Sequence, residues 1–145
     1  MAFVKEVCVA FKSVIQNLED GLPYGEDEVT EGVAFGFMKT TEDGFFLTYS
    51  EEGEGGRTVS DITTEGTRVT VRRRGSVVSE MVFAEGEEDT SIYEVTPYRF
   101  DMKVRTTKIR NTLTLGGGGL DLFYKMEVGG AEKAVRLRLV IHPKE

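Results

Sequence analysis

The chain has no tryptophan, one cysteine, one histidine and three prolines among 145 residues. Each scarcity removes a class of mechanism. A lone Cys8 cannot form an internal disulfide, and it sits mid-strand without a basic neighbour to activate it. His142, the only histidine, lies on a charged strand face, so histidine metal clusters and most catalytic triads are excluded. Long apolar runs are missing as well. The opening MAFVKEVCVAFKSVIQ is broken by Lys5, Glu6 and Lys12, which fits neither a signal-peptide core nor a membrane span, and a cytoplasmic protein is expected. Positive charge is in deficit. With 18 basic against 25 acidic residues the net charge is -7, which repels nucleic-acid phosphate and anionic lipid, so neither nucleic acid nor membrane is an expected partner. No proline-rich joint divides the chain, and a single domain over residues 1–145 is expected.

What the chain does have is period-two alternation punctuated by glycine. Residues 57–86, RTVSDITTEGTRVTVRRRGSVVSEMVFAEG, hold three runs rich in Val, Ile and Thr, separated by Glu65-Gly66 and Arg74-Gly75-Ser76, and read as an antiparallel meander. A two-residue turn at Arg74-Gly75 would set Val69 opposite Glu80. A three-residue loop sets Arg73 opposite Val77 and Val69 opposite Met81, matching like with like. Val69, Val71, Val77, Met81 and Phe83 then face inward together with Arg73, the odd member of an apolar row. The same alternation gives a first strand near residues 5–16 and a second over 28–39, where Val33, Phe35 and Phe37 fill one face between Ala34 and Gly36. Further strands follow through Phe45, Leu47 and Tyr49, then Tyr93, then residues 100–115, 120–128 and 135–141. That makes ten strands with one apolar and one charged face each. The fold class is all-β, a single antiparallel up-and-down barrel, since closure leaves no exposed edge.

Four stretches carry a family resemblance: Leu47-x-Tyr49-x-Glu51-Glu52, Val69-x-Val71-x-Arg73-x-Gly75-x-Val77, Thr106-x-x-Ile109 and Tyr124-x-Met126-x-Val128-Gly129. In this order and spacing the chain resembles the YwiB-like family of small bacterial proteins of unknown function. The resemblance implies a calycin-type barrel over residues 12–141 and brings no ligand, reaction or catalytic residue. One departure stands out, since the family commonly has a glycine where this chain has Pro97-Tyr98-Arg99 after the Tyr93 strand. The tryptophan of the lipocalin signature is absent, and the loop 17–27 is too short for the helical lid of fatty-acid-binding barrels.

The inward faces gather Tyr49, Thr58, Ser60, Arg73, Tyr93, Thr106 and Tyr124. A ten-stranded barrel can leave a cavity, so hydroxyls around one guanidinium could hold a carboxylate or phosphate at the end of an apolar ligand. The competing reading has Arg73 reach out at the barrel mouth to Glu51 or Glu52. Arg72-Arg73-Arg74 is split over two faces by strand alternation and reads as a solvated hairpin tip. Gly116 to Gly119 lacks the Lys-Ser/Thr pair of a phosphate loop. The acidic runs 51–54 and 85–89 lack the spacing of a dedicated calcium site. No cofactor and no metal are expected. Three functions compete. The first is a non-enzymatic barrel for a small amphipathic or anionic ligand, anchored by Arg73 and lined by Tyr49, Tyr93, Thr106 and Tyr124. The second is a cofactor-free enzyme acting on a small carboxylated substrate, which would need an acid at the cavity. The third is an interaction module with a packed interior, whose outer Phe46, Val78, Val82 and Phe123 form a homodimer patch.

Overall fold

β-Branched and aromatic residues alternate with charged or small ones through almost every long stretch, and each such stretch is a strand. The computed structural model describes residues 4–53 and 55–144. Met1, Ala2 and Phe3 of the opening stretch and Glu54 of the acidic run 51–54 lie outside the described residues. The strands are β1 (Val4–Glu19), β2 (Leu22–Pro23), β3 (Glu28–Thr40), β4 (Gly44–Gly53), β5 (Gly56–Glu65), β6 (Arg68–Gly75), β7 (Ser79–Phe83), β8 (Glu88–Val95), β9 (Tyr98–Asn111), β10 (Gly118–Val128) and β11 (Ala131–Pro143). Ten of them build one wall in the order β7-β6-β5-β4-β3-β1-β11-β10-β9-β8, and the two-residue β2 pairs only with the end of β1.

Chain neighbours pair antiparallel, as expected of an up-and-down barrel. The wall is joined at the chain ends by a long ladder, β1 against β11 from Val7↔Pro143 to Leu18↔Glu132. Its weak joint lies mid-chain. β7 and β8 meet at the single bridge Val78↔Glu94, where the Val78 N–H donates to the Glu94 carbonyl at 2.9 Å and the Glu94 N–H returns the bond at 2.8 Å. The barrel is therefore nearly closed, with a seam between β7 and β8.

Two local expectations change. The β6–β7 register pairs Arg73 with Ser79 and Val69 with Phe83, a slip of two residues from the expected Arg73–Val77. An even slip keeps every side chain on its face, so Val69, Val71, Met81 and Phe83 are buried as expected. The extra residues are used by other strands. Gly75, at φ 114°, stays paired with Thr58 on β5, and Val78 bridges β8. On β3 the face filled by Val33, Phe35 and Phe37 is the outer one, and these residues are half or more exposed. The inner face carries Gly32, Ala34, Gly36 and Met38. Small residues belong there because the Phe11 ring lies beneath Gly32 and stacks on Tyr49, with ring centroids 6.1 Å apart. At Gly36 a Cβ would collide with the Thr48 carbonyl. β3 pairs with β4 only from Gly36↔Tyr49 to Thr40↔Phe45, and beyond that point the two strands part.

The inward cross-strand rows change character along the barrel axis. Phe45–Thr64–Val69–Phe83 and Leu47–Ile62–Val71–Met81 lie toward one end; the next row is Tyr49–Ser60–Arg73–Ser79. The apolar end is filled, with Val9, Met38, Phe83, Leu120, Leu122 and Ile141 all at most 2% exposed. The β9–β10 connection folds over that end, with Leu113 and Leu115 against the core and the Gly116 N–H aimed at the Met38 sulfur, 3.4 Å away. Gly116 to Gly119 is thus a hairpin connection, as its sequence implies.

Candidate functional site

At the other end the barrel stays open. A cavity of about 260 Å³ is lined by Arg73, Tyr93, Tyr124 and the methionines Met81, Met102 and Met126, with Glu28 and Lys133 at its rim. The register explains the convergence. Tyr49 on β4, Ser60 on β5, Arg73 on β6 and Ser79 on β7 are successive cross-strand partners. Extending the Val78↔Glu94 bridge across the seam puts Tyr93 of β8 next in the same row and Ser91 one row further in, opposite Met81. From the opposite wall Ile15, Val135, Tyr124 and Thr106 form a facing row. The Tyr124 ring is held against Phe83, centroids 4.7 Å apart.

Arg73 does not reach out to Glu51 or Glu52. Among the described residues it makes no ion pair, while its neighbour Arg74 takes the Asp61 carboxylate at 2.8 Å. Asp61 also accepts the Thr48 hydroxyl at 2.7 Å, which holds it on the outer face. Arg72 is exposed opposite Glu80, so alternation splits the arginine run as expected. At the rim Lys133 and Glu28 pair at 3.5 Å and offset each other's charge. The guanidinium of Arg73 is left as the uncompensated charge of the cavity.

The buried polar atoms around it lack partners too. Ser60 Oγ, Ser79 Oγ, Ser91 Oγ and Arg73 Nε are all shielded from solvent; among the described residues Ser79 Oγ, Ser91 Oγ and Arg73 Nε make no hydrogen bond, while Ser60 Oγ has the Tyr49 hydroxyl beside it. Leaving a buried donor unsatisfied costs about 1–3 kcal/mol, so three in one neighbourhood is a substantial local deficit. The tyrosines supply neutral donors. Burial pushes Tyr49 up to about 12, against the opposing pull of the Arg73 guanidinium, and burial likewise raises Tyr124. Both stay protonated at neutral pH.

Of the expected site residues, the barrel brings Arg73, Tyr93 and Tyr124 onto the cavity, with Tyr49 in the Arg73 row behind it. Thr106 is different. It faces inward, but its Oγ1 accepts the Ala84 N–H at 3.2 Å while its carbonyl and N–H bond Gly86 and Glu87. Its hydroxyl therefore ties down the β7–β8 connection. Ser79 and Ser91 escaped the list of candidates, although alternation places Ser79 between Val77 and Met81 on the inner face. A wide groove outside the seam, lined in part by Arg72, Arg74, Arg99 and Ser91, also reaches Arg73. The outer residues Phe46, Val78, Val82 and Phe123 do not come together. Phe46 lies under Lys39 on β4, Phe123 lies under Arg136 on β10, and Val78 and Val82 belong to the β7 region.

Comparison with known proteins agrees with this architecture. The family model described as a domain of unknown function, DUF1934, matches residues 15–141. The uncharacterized beta-barrel protein YwiB of Bacillus subtilis (strain 168) is 26% identical over 109 residues, which is 75% of this chain and 77% of that protein. The crystal structure of the ywiB protein from Bacillus subtilis superposes with a TM-score of 0.84 at 23% identity, covering 98% of this chain and 94% of that one. That likeness is one of fold, and together with the family match and the Bacillus subtilis relative it bears out the YwiB-like resemblance. With a family model that runs from β1 into β11, the chain belongs to the DUF1934 family.

Proposed function

We propose that the open end of the barrel binds a small amphipathic anion and does not transform it, with Arg73 as the anchor. Tyr49, Tyr93 and Tyr124 supply hydroxyls around the anchor, and the three methionines supply an adaptable apolar wall. The observation that carries this reading is the inward guanidinium with no carboxylate partner among the described residues. A partly buried cation without a counter-charge carries a desolvation cost, and an external anion offsets it. Size narrows the ligand. A cavity of about 260 Å³ lies below the usual small-molecule range of about 300–1,000 Å³, so it suits a head group with a short apolar tail and not a long acyl chain. The enzymatic alternative needs an acid free to move a proton, and the carboxylate on the cavity rim, Glu28, is engaged by Lys133.

Native mass spectrometry of protein purified from cells tests the reading. The expected result is a co-purifying small anion on the wild-type chain that is lost from Arg73→Ala. A ligand-free wild type that also fails to take up added alkyl anions would overturn it.

A further inference from the structure

We infer that the outer face of β9, β10, β11 and β1 holds single-stranded nucleic acid by its phosphates. The inference is independent of the cavity. Register lays the charge out in rows across the wall. Arg110, Asp121, Arg138 and Lys12 form one cross-strand row; Lys108, Phe123 and Arg136 form the next; Arg105 and Lys125 begin a third. The seven basic side chains are all exposed. A register shift between Phe123 and Tyr124 leaves one extra residue on β9, which is how Arg105 and Lys108, three apart, both face outward.

These rows hold seven of the 18 basic residues of the chain and one of its 25 acidic ones. They sum to +6, and the other 11 basic and 24 acidic residues sum to -13. The net charge therefore hides a segregation of sign. The one acid, Asp121, is buried and shared between Arg136 and Arg138, each 3.7 Å away. Lys12, Arg105, Lys108, Arg110 and Lys125 make no ion pair among the described residues. In about 0.1 M salt, charge is screened beyond about 10 Å, so an approaching phosphate responds to the face in front of it. Acids border the face, Glu31 beyond Lys12 and Glu127 with Glu132 past Lys125, which confines a polyanion to these rows.

The make-up of the face selects the polyanion. Protein interfaces are built on an apolar centre depleted of charge, and peripheral membrane binding adds apolar side chains that enter the bilayer. This face has neither. Its one aromatic, Phe123, lies half-buried beneath the Arg136 guanidinium at 5.0 Å, a position on which a base stacks. Duplex DNA is stiff over about 150 base pairs and meets a curved barrel wall along a line, whereas a single strand follows the curve across all four strands.

Fluorescence anisotropy with dye-labelled dodecauridylate tests the inference. The wild type is expected to bind in 50 mM salt and to lose at least tenfold in affinity by 200 mM, the loss for roughly two to three neutralised phosphates of a single strand. The double variant Lys108→Glu with Arg110→Glu is expected to weaken binding at least tenfold. Lys39→Glu with Arg57→Glu, exposed residues off this face, makes the same change in net charge and is expected to stay within threefold. Circular dichroism checks that both variants fold as the wild type does. No binding by the wild type in 50 mM salt, or equal losses from the two double variants, would overturn the inference. Displacement of the oligonucleotide by an equal or lower charge concentration of poly-glutamate would overturn it in favour of an acidic protein, and the same displacement by phosphatidylglycerol vesicles would overturn it in favour of a membrane.

Discussion

At the scale of single residues, the proposed anion binding and stability oppose each other at Arg73. Its partly buried charge lacks a counter-ion among the described residues, and a cation in that position weakens the ligand-free fold. Arg73→Met keeps the length and removes the charge. It is expected to raise the stability of the ligand-free protein by about 1–2 kcal/mol, seen as a higher midpoint in urea, while abolishing anion binding; a lower midpoint would show that the guanidinium has a partner within the fold. Tyr49 makes the second prediction. Its folded pKa of about 12 lies above the ordinary 10.0, so the folded state holds the proton more tightly than the unfolded chain. The stability this confers is fully present below pH 10 and is lost as pH rises toward 12. Two pH units correspond to roughly 3 kcal/mol. Thermal melts between pH 9 and 12 are expected to fall less steeply for Tyr49→Phe than for the wild type, and parallel curves would contradict the assignment.

At the scale of elements, the seam between β7 and β8 is the joint with fewest bonds. Besides the Val78↔Glu94 bridge it is held by the Asp89 carboxylate, which accepts the Val82 N–H at 3.2 Å. Asp89→Ala is expected to speed hydrogen exchange at Val82 and along β7 while the β1–β11 ladder keeps its protection, at a cost of about 1–2 kcal/mol. Uniform acceleration over all strands would mean that the seam does not open by itself. The seam also marks the limit of what alternation reveals. Period-two patterning identified the inward faces of β6 and β7 through Val69, Val71, Met81 and Phe83, because parity survives an even slip. It could not fix the register, which depends on Gly75 pairing with Thr58 and on Val78 pairing with Glu94, contacts with strands remote in sequence. On β3 the pattern was plain and its direction was not, since Phe35 and Phe37 resemble core residues until Phe11 is seen to occupy the space beneath Gly32.

At the scale of the whole molecule the barrel divides into a filled end that supplies stability and an open end that carries the proposed site. Leu122, 0% exposed in the filled end, is expected to cost about 2–5 kcal/mol as Leu122→Ala. Tyr93→Phe at the open end is expected to cost less than about 1 kcal/mol and to weaken ligand binding; comparable losses of stability in chemical denaturation would contradict the division. The architecture was legible because nearly every strand has one apolar face, and a sheet with one buried side must close or stack. The division was not legible, because it depends on which rows the staggered strands bring level, and that is how Ser79 comes to stand beside Arg73. The most direct test of the central claim is the side-chain Nε–H resonance of Arg73, followed by NMR during titration with hexyl phosphate. A saturable one-to-one shift of that resonance, with Arg72 and Arg74 unmoved, is the predicted result; a stationary Arg73 signal while the surface arginines shift would contradict it.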